Sequence, residues 1–155
     1  MSSYWERLLH FYRVTDPRTL LASDSEVRAA QDLLAKHDAG DVWIDEAALE
    51  TARRLRDTAV HPDTQEIVPK AFRFSGFAPM NVLICAGLLM PNPSSASILF
   101  WQIFNQSYNV AVNHANRNAS NQLSAQQLGT AYAAAVSVSC GLGLSMLIHF
   151  PLPHR

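Results

Sequence analysis

Charge stops at Arg73. All 13 acidic residues lie at or before Glu66, ten of the 12 basic residues lie at or before Arg73, and from Phe74 onward only Arg117 and Arg155 are charged. A water-soluble surface needs charged side chains along most of its length, and the second half of this chain does not supply them. The near-zero mean hydropathy is therefore the average of two unlike parts: a soluble region over 1–73 and a lipid-compatible region over 74–155. The expected architecture is all-α, a multi-pass helical membrane protein with a soluble helical N-terminal region.

In the charged part, Ser23-Asp24-Ser25-Glu26 is a capping-box pattern in which Glu26 can reach back to the Ser23 amide. The helix behind it runs to about His37, with Val27, Ala30, Leu33 and Leu34 on one face and Gly40 as the stop signal. A second helix starts near Asp45 and carries Ala48, Leu49, Ala52, Leu55 and Ala59 at helical spacing. His61-Pro62 closes it, because a residue before proline avoids the helical region. Val14-Thr15-Asp16-Pro17-Arg18 reads as a turn with Thr15 or Asp16 as its local cap.

The apolar part holds three candidate spans. Phe77–Met90 is about 14 residues long, short of the ~20 that a helix needs to cross a bilayer. Pro91-Asn92-Pro93 follows it, so either a kinked helix runs from Asn81 to Trp101, or Phe77–Met90 is a half-helix and Ala96–Arg117 crosses. Leu128–Ile148 is uncharged throughout and is the cleanest span. It carries Gly129, Ala133, Ser137, Gly141 and Ser145 at four-residue steps, a small-residue ridge on which another helix can approach closely.

The stretch with the most chemistry is Phe100–Arg117. On a helix, Gln102, Asn105, Gln106, Asn109, Asn113 and Asn116 fall on one side, with Arg117 at the edge. Amides both donate and accept hydrogen bonds, so such a stripe can hold the ammonium and carboxylate of a zwitterion without a fixed charge. The same residues can instead bond helix to helix, or form the wet face of a soluble amphipathic helix. His61 and Asp63 could serve as ligand or proton groups, but two candidate ligands do not make a metal site, and a structural turn capped by Asp63 accounts for them. No metal ligand set, cofactor motif, nucleophile elbow or phosphate loop is visible, so no enzyme and no cofactor is expected. A net charge of −1 with no basic stripe argues against nucleic acid. Cys85 and Cys140 are isolated in apolar sequence and imply no disulfide framework. Asn105-Gln-Ser and Asn118-Ala-Ser fit the glycosylation pattern, which is common by chance. The start, Met1-Ser-Ser-Tyr-Trp-Glu, is neither a signal peptide nor an Arg-rich transit peptide.

Several stretches together resemble the sideroflexin family: His10-Phe-Tyr-Arg-Val-Thr-Asp-Pro-Arg18, His61-Pro62-Asp63-Thr64, Pro79-Met80-Asn81, Phe100-Trp-Gln with Asn105-Gln-Ser-Tyr-Asn109, Val112-Asn113 with Asn116-Arg117, and Leu128-Gly-Thr-Ala-Tyr132. Each is weak alone; their order and spacing are specific in combination, and the similarity runs from about Trp5 to Leu147. The resemblance implies a multi-pass protein of the mitochondrial inner membrane. It also implies transport of serine or a similar small amino acid in support of one-carbon metabolism. It makes His61, Pro62, Asp63, Thr64, Pro79 and Asn81 family-motif positions, and Gln102, Asn105, Gln106, Asn109 and Asn113 the candidate substrate path. Family descriptions also invoke tricarboxylate carriage and iron handling; the ligand cluster that iron needs is missing. The alternative within the family is a non-transporting assembly or scaffold factor for respiratory complexes, in a branch that has lost much of the amide-rich stretch this chain keeps. Members run well beyond this length, so the chain is expected to be an N-terminal portion. Its expected partners are a bilayer, the amino-acid substrate, and a second copy or the missing C-terminal half.

Overall fold

A computed structural model describes residues 3–117 and 124–149. Six α-helices follow one another: α1 (Tyr4–Val14), α2 (Asp24–Asp38), α3 (Glu46–Ala59), α4 (Phe74–Leu88), α5 (Ser95–Ala115) and α6 (Ala125–His149). Short 3₁₀ helices at Pro17–Leu21 and Lys70–Phe72 precede α2 and α4. Among the described residues there is no strand, only an isolated antiparallel bridge between Val60 and Ile67. The chain divides into two compact units, Met1–Pro79 and Met80–Arg155, each taken by itself below.

In the first unit the helix starts are chemical. Ser23 accepts from the Glu26 amide at 3.3 Å while Glu26 accepts from the Ser23 amide at 2.7 Å, the reciprocal box expected from the sequence. Ser3 and Glu6 build the same box on α1, and Asp45 caps α3 through the Ala48 amide at 2.7 Å. Gly40 takes a φ of +80° just past the end of α2, a conformation open to glycine and costly for other residues. The apolar stripes of α2 and α3 then face each other: Ala30 and Leu34 meet Leu49 and Ala52, with Leu33, Ile44 and Leu55 around them. A second cluster joins Val27 to Ala59 and Val60. Asp16 caps the first 3₁₀ helix, accepting from the Arg18 amide at 3.0 Å and from the Arg18 guanidinium. That hydrogen bonding holds the Asp16 carboxyl below its ordinary range.

Arg73, the last cation before the charge-free stretch, is fully buried. Its Nε donates to the Val68 carbonyl at 2.8 Å and its Nη2 to Asp24 Oδ1 at 3.0 Å. A buried guanidinium is tolerable only when paired; here it ties the approach to α4 to the first turn of α2.

In the second unit, α4 ends at Leu88 and α5 begins at Ser95, so a single kinked helix over Asn81–Trp101 does not form. Asn92, between the two prolines, takes a φ of +52°. Ser94 caps α5 through the Ser97 amide at 3.1 Å. Ser124 and Gln127 form a reciprocal cap on α6, which starts that helix three residues before the expected Leu128. Phe150–Arg155 and the glycosylation pattern at Asn118 lie outside the described residues.

Of the described helices, α6 alone is long and apolar enough to cross a membrane, and none of its most apolar stretch is buried. The expected second crossing, α5, has the length, but its amides dilute its hydropathy. Helix α4, with 15 residues, is too short. The small-residue ridge on α6 also lands differently from the expectation of close helix approach: Gly129, Ala133, Ser137, Gly141 and Ser145 are all exposed, and a Cβ at Gly129 or Gly141 would meet nothing within 4 Å. The close approach to α5 falls at Gly143, where a Cβ would lie 2.8 Å from Ile98 Cγ2. Two residues turn a helix by about 200°, which puts Gly143 on the other side from Gly141.

Candidate functional site

Helix α5 is a 21-residue element without glycine or proline, stiffened at its start by Phe100, Trp101 and Phe104. Phe100 and Phe104 stack with centroids 5.9 Å apart, and Trp101 meets each of them edge-on. Trp101 also closes onto α4, where Gly87 leaves no room for a Cβ beneath the indole ring.

The amide stripe divides by role. Gln106 Nε2 donates to Ser139 Oγ on α6 at 2.7 Å. One residue on, Ser107 Oγ and Tyr132 Oη are 2.8 Å apart. These polar links bridge α5 and α6 across an otherwise apolar contact. Asn109 Nδ2 donates to Asn105 Oδ1 at 3.1 Å along the same helix, and both are half-buried. Gln102, one turn before Gln106, lines a cleft of about 290 Å³ with Gly87, Pro93, Ser97, Ile98 and Gly143. Asn113 is exposed. Asn116 bonds the Val112 carbonyl at 2.8 Å. The structure thus brings Gln102 to a cleft and Gln106 to a helix seam, and leaves Asn113 outside both.

The family-motif positions sit elsewhere. His61 is buried, and its Nδ1 accepts from the Asp63 and Thr64 amides at 3.2 Å each. Its own amide donates to the Glu66 carbonyl at 2.8 Å. The imidazole therefore serves as the cap of the turn Pro62-Asp63-Thr64, a job that sequence reading gave to Asp63. Pro79 lies inside α4, where its ring nitrogen cannot bond back to the preceding turn, and Asn81 is half-buried two residues on. Among the described residues no group of three or more His, Cys, Asp or Glu side chains could hold a metal ion.

Sequence reasoning missed Ser139 and Tyr132 as partners of the α5 polar face. It also missed Gly87 and Gly143 as the points of close approach. A glycine opposite an aromatic or β-branched residue was the available signal, but the pairing needs the fold. A second cleft, of about 180 Å³, separates α1 from α3 in the N-terminal unit and is lined by Glu6, His10, Arg13, Glu50, Arg53 and Asp57.

These features define a class: a chain with a charged helical head and an apolar helical hairpin whose seam is amide and hydroxyl. The sideroflexin family model matches residues 1–151. Curated relatives include a sideroflexin of Dictyostelium discoideum, 42% identical over 94% of this chain and 45% of its own length. Sideroflexin-5 of Caenorhabditis elegans is 41% identical over 92% of this chain and 44% of its own, and Sideroflexin-3 of Homo sapiens is 39% identical over 97% and 48%. No solved structure matches the chain. The chain belongs to the sideroflexin family, and it spans a little under half the length of the relatives it matches.

Proposed function

We propose that this chain supplies the first membrane helices of a mitochondrial inner-membrane carrier for serine or a similar small amino acid, feeding one-carbon metabolism. The observation that carries the reading is Gln102 in its cleft. A cleft of about 290 Å³ lies at the low end of small-ligand pockets. An uncharged amide there can both donate to a carboxylate and accept from an ammonium. Family membership supports carriage of a solute rather than its chemical conversion. Helix α5 is a second crossing in this account. Its 21 residues span roughly 31 Å, enough for a hydrocarbon core, and the bonds to Ser139 and Tyr132 offset the cost of its polar side chains there. The chain works with the C-terminal portion that its longer relatives possess, or with a second copy, to enclose the path.

A second reading, a membrane-embedded scaffold for respiratory assembly, draws on the Gln106–Ser139 and Ser107–Tyr132 links, which spend polar groups on holding helices together. Proteoliposome uptake of labelled serine separates the two, with Gln102→Leu and Gln106→Leu made in the full-length context. For a carrier, Gln102→Leu abolishes uptake at normal protein level. Loss of uptake only in proportion to loss of protein, for both variants, favours the scaffold.

A further inference from the structure

Helix α1 is mounted inside out. Projected at 100° per residue, Phe11, Tyr4, Leu8, Tyr12, Trp5 and Leu9 occupy one continuous arc of about 160°. In the folded unit these six side chains are 46–72% exposed. The opposite arc, Arg13, Glu6, His10 and Val14, is the one turned toward α3: Arg13 pairs with Glu50 at 3.1 Å, Val14 is buried, and all four line the cleft against α3. A helix folded for water buries its apolar face and exposes its charges. This one does the reverse, and the four aromatics alone, at about two-thirds exposure, present on the order of 500 Å² of ring surface. That single strip approaches the largest patch expected on a whole soluble monomer.

We propose that α1 is a membrane-surface helix, lying flat in the headgroup region of an anionic bilayer with Trp5, Tyr12 and Phe11 pressed into the lipid boundary. An 11-residue helix is about 16 Å long, too short to cross but suited to lying in the plane. Tryptophan and tyrosine, amphipathic themselves, prefer this level of the bilayer. Charge complementarity singles out lipid among possible coverings. Arg7 borders the strip on one side and Arg13 on the other, where each can meet lipid phosphates. Glu6, the helix's one acidic residue, is turned away and engaged with the Ser3 amide at 2.8 Å. A chain anchored by α6 keeps α1 near the same bilayer, so the inference goes beyond the carrier reading while sharing its membrane.

The test uses the full chain with Trp43→Phe and Trp101→Phe, which leaves Trp5 as the sole fluorophore, in phosphatidylcholine vesicles with and without phosphatidylglycerol. Brominated lipids report depth. The expected result is a blue-shifted Trp5 emission, quenched several-fold more by lipids brominated near the headgroup than near the chain end, stronger with phosphatidylglycerol. Adding Leu8→Glu and Tyr12→Glu should remove that quenching while helix content by circular dichroism is kept. Emission at the water-exposed wavelength without quenching overturns the proposal. So does strongest quenching by the deep label, or a blue shift that no lipid quenches and that grows with protein concentration, the mark of a protein covering. Alkaline carbonate washing of the same vesicles reads α6 separately. A retained chain with Trp5 in water sinks this inference alone; a released chain that showed shallow quenching before the wash sinks the α6 anchor alone.

Discussion

Two glycines on α6, two residues apart, should respond in opposite directions to the same methyl group. At Gly143 a Cβ would lie 2.8 Å from Ile98 Cγ2 and 3.5 Å from Gln102 Nε2. Ordinary carbon contacts begin near 3.5 Å, so the α5–α6 seam must open by several tenths of an ångström. Ile98 is β-branched and nearly locked at χ1 in a helix, so it cannot swing aside. Overpacking of this kind costs about 1–3 kcal/mol, and the shift also strains the Gln106–Ser139 and Ser107–Tyr132 bonds above it. At Gly141 nothing lies within 4 Å, and replacing a helical glycine by alanine stabilises by about 0.5–1 kcal/mol. Gly143→Ala and Gly141→Ala should therefore differ by about 2–4 kcal/mol in total. The assay is thermal unfolding in mild detergent followed by circular dichroism, with both variants beside the parent. Equal melting of the two, or a Gly141→Ala that melts lower than Gly143→Ala, would refute the assignment of the packing face.

The Gln106–Ser139 bond should show a coupling of about 0.5–1.5 kcal/mol in a double-mutant cycle with Gln106→Leu and Ser139→Ala in the same melts; no coupling would remove it from the seam. Asp24→Asn takes the charge from the partner of buried Arg73 and should destabilise the N-terminal unit by about 1–3 kcal/mol in urea unfolding, tempered because Asp24 is itself 64% exposed. Arg73→Met removes charge and hydrogen bonds together and should cost less than Asp24→Asn if desolvation of the unpaired cation dominates. Acid should weaken the same unit. The Asp16 carboxyl is lowered chiefly by its side-chain bond from Arg18, and that of Glu26 chiefly by the Ser23 amide. The unfolded chain then binds protons at higher pH than the folded one, so this stability is present above the ordinary carboxylate range and is lost as pH falls through the lowered folded values. Urea midpoints measured against pH should decline there, and Asp16→Asn should flatten part of that decline.

What the sequence made legible is local chemistry. Ser23 with Glu26, Asp45 and Gly40 each dictate a helix end through one hydrogen bond or one backbone angle, and the charge stop at Arg73 needs no fold to be seen. What it left obscure is which face of an apolar helix meets which neighbour. Helix α6 is apolar nearly all round, so periodicity points nowhere, and small residues at four-residue steps drew attention to Gly141 when Ile98 sits against Gly143. The amide stripe on α5 was visible as a stripe. Its division into a cleft residue, a seam residue and an exposed Asn113 depends on Ser139 and Tyr132, more than twenty residues away in sequence. The inverted mounting of α1 was equally hidden, because a helical wheel gives two faces and does not say which one the rest of the unit covers. Arg73 in a charged region gave no sign that it would be fully buried.

The central claim is that Gln102 lies on the path of a small amino acid, and cysteine protection tests it most directly. With Cys85→Ser and Cys140→Ser as background, Gln102→Cys and Asn113→Cys are introduced one at a time into the membrane-embedded, full-length protein. Each is then labelled with a water-soluble maleimide while serine is varied. Serine should slow labelling at position 102 in a saturable way and leave position 113 unchanged. Labelling at 102 that is indifferent to serine, in protein that still takes serine up, would contradict the claim.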